Sequence, residues 1–248
     1  MKKILIAVIG SIFVLSCSKD DNDSVNITDD NFMKLRRENT SSIESLYEYN
    51  TSGYVSKTIL KEESSSLIIE SVYEYFQGNL RAIKSTITQK GIITNRTQIF
   101  EYEYGLVVKK TDIEGEELME HYYSYDASAN LEEDIFYKNG ILFGKTTYVF
   151  QNGLLLEEKT YPYNSATSEY NTPAIWSYEY DTKNNPYYDL FPNAYEKVTL
   201  QSKNNWIKAK ANGKLIERTF NYDSDGYPTE CKYLNDSASS NSNFQYYK

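Results

Sequence analysis

Trp176-Ser177-Tyr178-Glu179-Tyr180-Asp181-Thr182-Lys183-Asn184-Asn185-Pro186 sets two aromatics one residue apart and then a polar turn, and Phe220-Asn221-Tyr222-Asp223-Ser224-Asp225-Gly226-Tyr227 repeats the arrangement. Aligning the second aromatic of each copy places Tyr49, Tyr75, Tyr102, Tyr125, Phe150, Tyr180 and Tyr222 in one series, with Leu200 as a degenerate member before the last. The steps are 26, 27, 23, 25, 30, 20 and 22 residues. A period in the twenties marks a repeat architecture, in which one supersecondary unit cannot bury its own apolar face and leans on its neighbours.

Each unit holds two β-prone runs and two turns. One turn follows the aromatic pair, as at Gln77-Gly78-Asn79 and Gln151-Asn152-Gly153; the other divides the unit, as at Asn139-Gly140 and Asn212-Gly213. Asn-Gly between such runs signals a hairpin, because a type I′ turn needs positive φ at both central residues. Nine of the eleven glycines occupy these turns, and Gly144 stands apart as a mark of a bulge or a close backbone approach. The expected fold is all-β: an antiparallel meander of repeated hairpins, about sixteen strands, forming a curled, elongated sheet. In Tyr-x-Tyr both rings project to one face and the intervening residue, often glutamate (Glu48, Glu74, Glu101, Glu179), to the other. The 25 tyrosines are thus structural first, building cross-strand ladders.

The N-terminus is read as an address. Lys2 and Lys3 precede the apolar run Ile4 to Leu15, and twelve residues is too short for a spanning helix, which needs about 20. Leu15-Ser16-Cys17 resembles the bacterial lipobox, which implies that residues 1–16 are a signal peptide and that Cys17 carries palmitate-type acyl chains as a membrane anchor. Ser18, Lys19, Asp20, Asp21 and Asp23 resemble the export signal of surface lipoproteins in Bacteroidetes-type bacteria, which implies the outer membrane and its exterior face. Residues 17–31 are then an acidic tether and 32–248 a single repeat domain. Without its signal the chain has 24 basic and 35 acidic residues, a net charge of −11, which disfavours nucleic acid as a partner. Cys231 is the only other cysteine, so no intramolecular disulfide forms once Cys17 is acylated.

The unit Tyr-x-Tyr-Asp-x-x-Gly/Asn resembles the YD repeat of Rhs-type proteins across residues 43–234, with Asp126, Asp181 and Asp223 supplying the aspartate and Asn50, Phe76, Glu103, Gln151 or Gln201 standing there in other copies. The resemblance implies a spiral of hairpins, and at this length a small YD-like surface lipoprotein. Chemistry is sparse. His121, the one histidine, falls in a repeat aromatic run, and no zinc cluster, phosphate loop or Gly-x-Ser-x-Gly elbow is present. Paired glutamates such as Glu62-Glu63 and Glu157-Glu158 point to opposite faces of a strand, and Asp223 to Gly226 has only a fragment of a calcium loop's spacing. No cofactor or metal is expected. The expected function is non-catalytic, binding a glycan or envelope protein or serving structurally; a carboxylate-dependent hydrolase of a polysaccharide is the alternative.

Four of five prolines fall between Tyr161 and Tyr195, where the chain must leave the ladder. Its aromatics either form an exposed platform or fold back to plug an open end. On the first reading Trp176 and Tyr188, then Tyr163 and Tyr187, contact a ligand. Ser24 and Ser237, in Asp-Ser-apolar triplets, resemble O-glycosylation acceptors of these bacteria.

Overall fold

A computed structural model describes residues 34–234 and 241–247. Cys17, the tether positions Ser18 to Asp23, Ser24 and Ser237 lie outside these residues. The strands of the first half are β1 (Lys34–Asn39), β2 (Ile43–Tyr49), β3 (Val55–Glu62), β4 (Leu67–Phe76), β5 (Asn79–Gln89), β6 (Ile92–Glu103), β7 (Leu106–Glu114), β8 (Glu117–Tyr125) and β9 (Leu131–Lys138). There follow β10 (Ile141–Gln151), β11 (Leu154–Asn164), the two-residue β12 (Glu169–Tyr170), β13 (Ala174–Asn184), a helix α1 (Asn193–Val198), β14 (Asn204–Ala211), β15 (Lys214–Tyr222), β16 (Pro228–Tyr233) and β17 (Ser242–Tyr247). The meander is as expected, since each strand pairs antiparallel with its successor. β12 merely extends the rim of β11, and β13 takes the place beside β11.

The curled, elongated open sheet must be corrected. β17 returns to β1, with Leu35 opposite Tyr246 and Asn39 opposite Asn243, so sixteen strands close into a barrel. Bulges account for the curvature. In seven hairpins the register slips immediately before the second aromatic of the repeat: at Tyr49, Tyr75, Tyr102, Tyr125, Phe150, Tyr180 and Tyr222. A bulge adds a residue to one strand and sharpens its bend and twist. Placed at the same end of every hairpin, it curls the sheet until its edges meet, which also removes both unpaired edges.

Five of these bulges seat the aromatic against one buried apolar residue of the partner strand. Tyr49 faces Val55, Tyr75 Leu80, Tyr102 Val107, Tyr125 Leu131 and Phe150 Leu155, and all five partners are buried. The hydroxyls then tie neighbouring hairpins together. Tyr49 donates to the Leu35 carbonyl at 2.5 Å, Tyr75 to Val55 at 2.5 Å, Tyr102 to Leu80 at 2.6 Å, Tyr125 to Val107 at 2.7 Å and Tyr246 to Pro228 at 2.7 Å. The tyrosines are structural, and they line the inside. The outer face carries intervening glutamates in cross-strand pairs, Glu74 with Lys84 at 2.5 Å, Glu179 with Lys208 at 3.5 Å and Glu101 with Lys109 at 3.8 Å, and further pairs of Glu120 with Lys109 at 2.8 Å and Glu70 with Lys57 at 3.6 Å.

Sixteen strands about 4.8 Å apart and tilted by roughly 40° enclose a ring roughly 30 Å across, too wide for wall side chains to fill. The connection from β13 to β14, residues 185–203, fills part of it. Leu190 packs with wall residues Leu35, Val55 and Phe244, and Ala194 with Leu80, Phe100 and Val107. Phe191 sits 5.2 Å from the Tyr73 ring and Tyr195 5.0 Å from Phe100, centroid to centroid. The proposed repeat member at Leu200 belongs to this plug, with φ of +59°, and is not a strand. The eighth hairpin is made instead by the two ends of the described chain, β17 and β1.

Candidate functional site

The plug is moored to the wall along its length. The Val55 amide donates to the Leu190 carbonyl at 3.0 Å, Lys34 Nζ to the Asp189 carbonyl at 3.1 Å, and Lys197 Nζ to the Ala129 carbonyl at 2.7 Å. Tyr187 is half-buried and its hydroxyl donates to Glu38 on β1 at 2.5 Å. Glu196, almost wholly buried, accepts the Phe191 amide at 3.1 Å. Burial pushes its carboxyl up to about 7 against the pull of that hydrogen bond, and Asp189 adds to the rise.

Beyond the level of the tyrosines the inward positions turn polar, and they are matched across strands. Ser71 and Ser85 share a hydrogen bond of 2.8 Å, Thr146 and Thr160 one of 3.0 Å, and Tyr178 donates to Glu158 at 2.9 Å. Asp112 accepts from Arg96 Nε at 2.8 Å and from Gln98 at 3.0 Å; burial works against its charge, but these bonds hold the carboxyl below the usual range. Lys110 stands between this cluster and Asp134, its ammonium pushed down by burial. His121 is a sheet residue: Nδ1 lies 2.8 Å from Asp134, and its ring stacks on Phe136 at 5.6 Å and on Tyr123 at 6.1 Å.

Among the described residues, cavities between plug and wall include three of about 280 Å³ and one of about 260 Å³. Gln201 borders all four. Its carboxamide has no hydrogen bond among the described residues. In the cavity between residues 185–205 and strands β14 to β17, the guanidinium of Arg218 lies over Trp206, 3.1 Å from the ring centroid, and donates to the Trp206 carbonyl from Nε and Nη2 at 3.1 and 2.8 Å.

The four aromatics singled out from sequence do not converge. Trp176 points inward on β13 and stacks on Tyr178 at 6.5 Å, whereas Tyr163 pairs edge-on with Tyr170 at 5.4 Å on the rim. Tyr187 is partly buried against the core and lines two of the cavities, while Tyr188, next to it, borders another with Asn130 and Lys197. Arg218, Trp206 and Gln201 were not singled out. Arg218 sits at an ordinary inward position of β15, and no local motif distinguishes it.

No protein-family model and no curated protein matches the chain. Among solved structures, a porin-like protein from Bacteroides uniformis aligns over 87% of this chain and 96% of its own, with a TM-score of 0.52 and 11% identity. The chain is similar in fold to a porin-like barrel. A second porin-like protein, from Bacteroides vulgatus, aligns over 87% of this chain and 99% of its own with a TM-score of 0.43 and 10% identity. The barrel likeness overturns the YD-repeat, Rhs-like resemblance. The aspartates that suggested it are turn caps: Asp126 Oδ1 accepts the amides of Ser128 and Asn130, Asp223 Oδ1 those of Asp225 and Tyr227, and Asn50 Oδ1 does the same for Ser52 and Tyr54. Any chain that closes Tyr-x-Tyr strands with a five-residue turn has use for this residue.

Proposed function

We propose that the protein is a non-catalytic, lipid-anchored component of the outer membrane whose barrel stands in water, displayed toward the cell exterior, and binds a small ligand between plug and wall. The observation that carries this reading is the sidedness of the strands. A barrel that crosses a bilayer presents an apolar band about 25 Å tall to lipid, and an outward lysine at its mid-plane costs about 2–4 kcal/mol. Here Lys57, Lys84, Lys109 and Lys208, each paired with a glutamate, interrupt the exposed apolar positions of the outer face, such as Val72, Ile99, Ile113 and Val149, and the repeat tyrosines face in. Such a barrel needs another attachment, and acylated Cys17 supplies it. The mooring of the plug by both backbone and side chains favours a closed vessel over a channel.

Cell fractionation with a fatty-acid label tests this. The wild type is expected in the membrane fraction and labelled; Cys17→Ala is expected unlabelled and monodisperse in buffer without detergent. A Cys17→Ala chain that stays in the membrane and raises the conductance of a planar bilayer would overturn the reading.

A further inference from the structure

Arg218 is a half-buried cation without a carboxylate partner among the described residues. Among the described residues its polar contacts are the Trp206 carbonyl and the Tyr233 hydroxyl, and no carboxylate lies within 4 Å of its nitrogens. Its plane is sandwiched in aromatic surroundings, with the rings of Trp206, Phe220 and Tyr233 at 3.1, 5.1 and 5.9 Å. Two bonds to one carbonyl employ Nε and one Nη2 proton, which leaves other guanidinium protons for a ligand. Arg96, elsewhere in the lumen, has Asp112 as its ion-pair partner, whereas no such pair is formed by Arg218 among the described residues. The cavity it borders, about 280 Å³, is just under the roughly 300–1,000 Å³ usual for small-molecule sites. Aromatic faces from Trp206, Tyr233 and Phe244 meet polar groups from Gln201, Asn185 and Ser242 there.

We propose that this cavity binds a carboxylated sugar ring, a hexuronate, whose carboxylate accepts from the Arg218 guanidinium while its hydroxyls meet the free carboxamide of Gln201 and its apolar ring face lies against the aromatic wall. The inference rests on the reading of the barrel as a ligand-binding vessel and adds the ligand's chemistry. A carboxylate matches the planar fork of a guanidinium, and the pair is stronger for being out of water. The space accommodates a single ring. Burial alone works against the charge on Arg218, and a bound anion reverses that. Glu38, the cavity's one carboxylate, opposes an anionic guest and sets an expectation of opposite sign.

The test is calorimetric titration of the full chain in detergent with glucuronate, galacturonate, glucose and inorganic phosphate. Both uronates are expected to bind more tightly than glucose by about tenfold to a hundredfold, the worth of a charge-assisted hydrogen bond. Arg218→Gln is expected to remove that preference. Gln201→Ala, which removes no side-chain hydrogen bond among the described residues, is expected to weaken uronate binding roughly threefold to tenfold at an unchanged melting midpoint. Glu38→Gln, which keeps an acceptor for Tyr187, is expected to strengthen it. If Arg218→Gln fails to fold, the Gln201 and Glu38 variants decide. Equal binding of glucose and glucuronate, or indifference to both Gln201→Ala and Glu38→Gln, overturns the hexuronate assignment and leaves the vessel standing. Phosphate bound as tightly as the uronates likewise overturns it, reducing the site to a general anion site. Silence from all four probes overturns the hexuronate assignment and counts against the vessel, whereas failure of the fractionation experiment alone strikes only the address.

Discussion

Glu196→Gln isolates the one carboxyl whose ionisation the plug resists. Its carboxyl rises from an ordinary 4.5 to about 7 because it is buried beside Asp189, while its oxygen accepts the Phe191 amide. With a raised native value the folded state binds the proton more tightly than the unfolded one. Between about pH 4.5 and 7 the folded chain therefore holds more protons, and stability falls as pH rises. At about 1.36 kcal/mol per pH unit the full loss is roughly 3 kcal/mol, an upper figure because local relaxation lets water reach the group. The loss is complete above pH 7 and absent well below the unfolded value. Glutamine keeps an acceptor for the Phe191 amide and has no charge to bury. Urea denaturation from pH 4.5 to 8.5 is expected to show the wild type weakening across this window, and the variant ahead by roughly 2–3 kcal/mol at its alkaline end. Hydrogen exchange in residues 185–203 is expected to quicken with pH in the wild type beyond the intrinsic rate and to do so less in the variant. Parallel stability curves would refute the argument, for they would mean that Glu196 reaches water or that its hydrogen bonds outweigh its desolvation.

Two further outcomes follow from local packing. A Cβ on Gly144 would come within 2.8 Å of both Phe136 Cζ and the Tyr161 carbonyl, so Gly144→Ala is expected to destabilise by about 1–3 kcal/mol in a denaturant titration; a neutral result would mean that the bulge between Leu142 and Gly144 can shift. Burial pushes the Cys231 thiol up to about 11, so iodoacetamide at pH 8 is expected to leave it unmodified until denaturant is added, as mass spectrometry can read. Rapid alkylation of the native chain would show that the wall opens near β16.

Tyr-x-Tyr, the turn residues and their spacing determined the local part of this protein: all-β, antiparallel, hairpin after hairpin, with rings on one face and glutamates on the other. Those are properties of period-two strands and tight turns, which a few consecutive residues decide. Gly144 was legible in the same way, as an interruption with no turn to explain it. Closure was not. It depends on a bulge at each Tyr-x-Tyr end, which comes from the fit of a ring against a residue such as Val55 or Leu80 across the strand, and on pairing β1 with β17 more than two hundred residues away. The prolines told only that the chain departs from the sheet; that residues 185–203 turn inward follows from the width of a sixteen-strand ring, a quantity that exists only once the ring is closed. The candidate site was hidden for the same reason. Arg218, Trp206 and Gln201 lie on β15, β14 and the plug, and nothing in their neighbours along the chain shows that a closed wall brings a guanidinium with no ion-pair partner beside the Gln201 carboxamide.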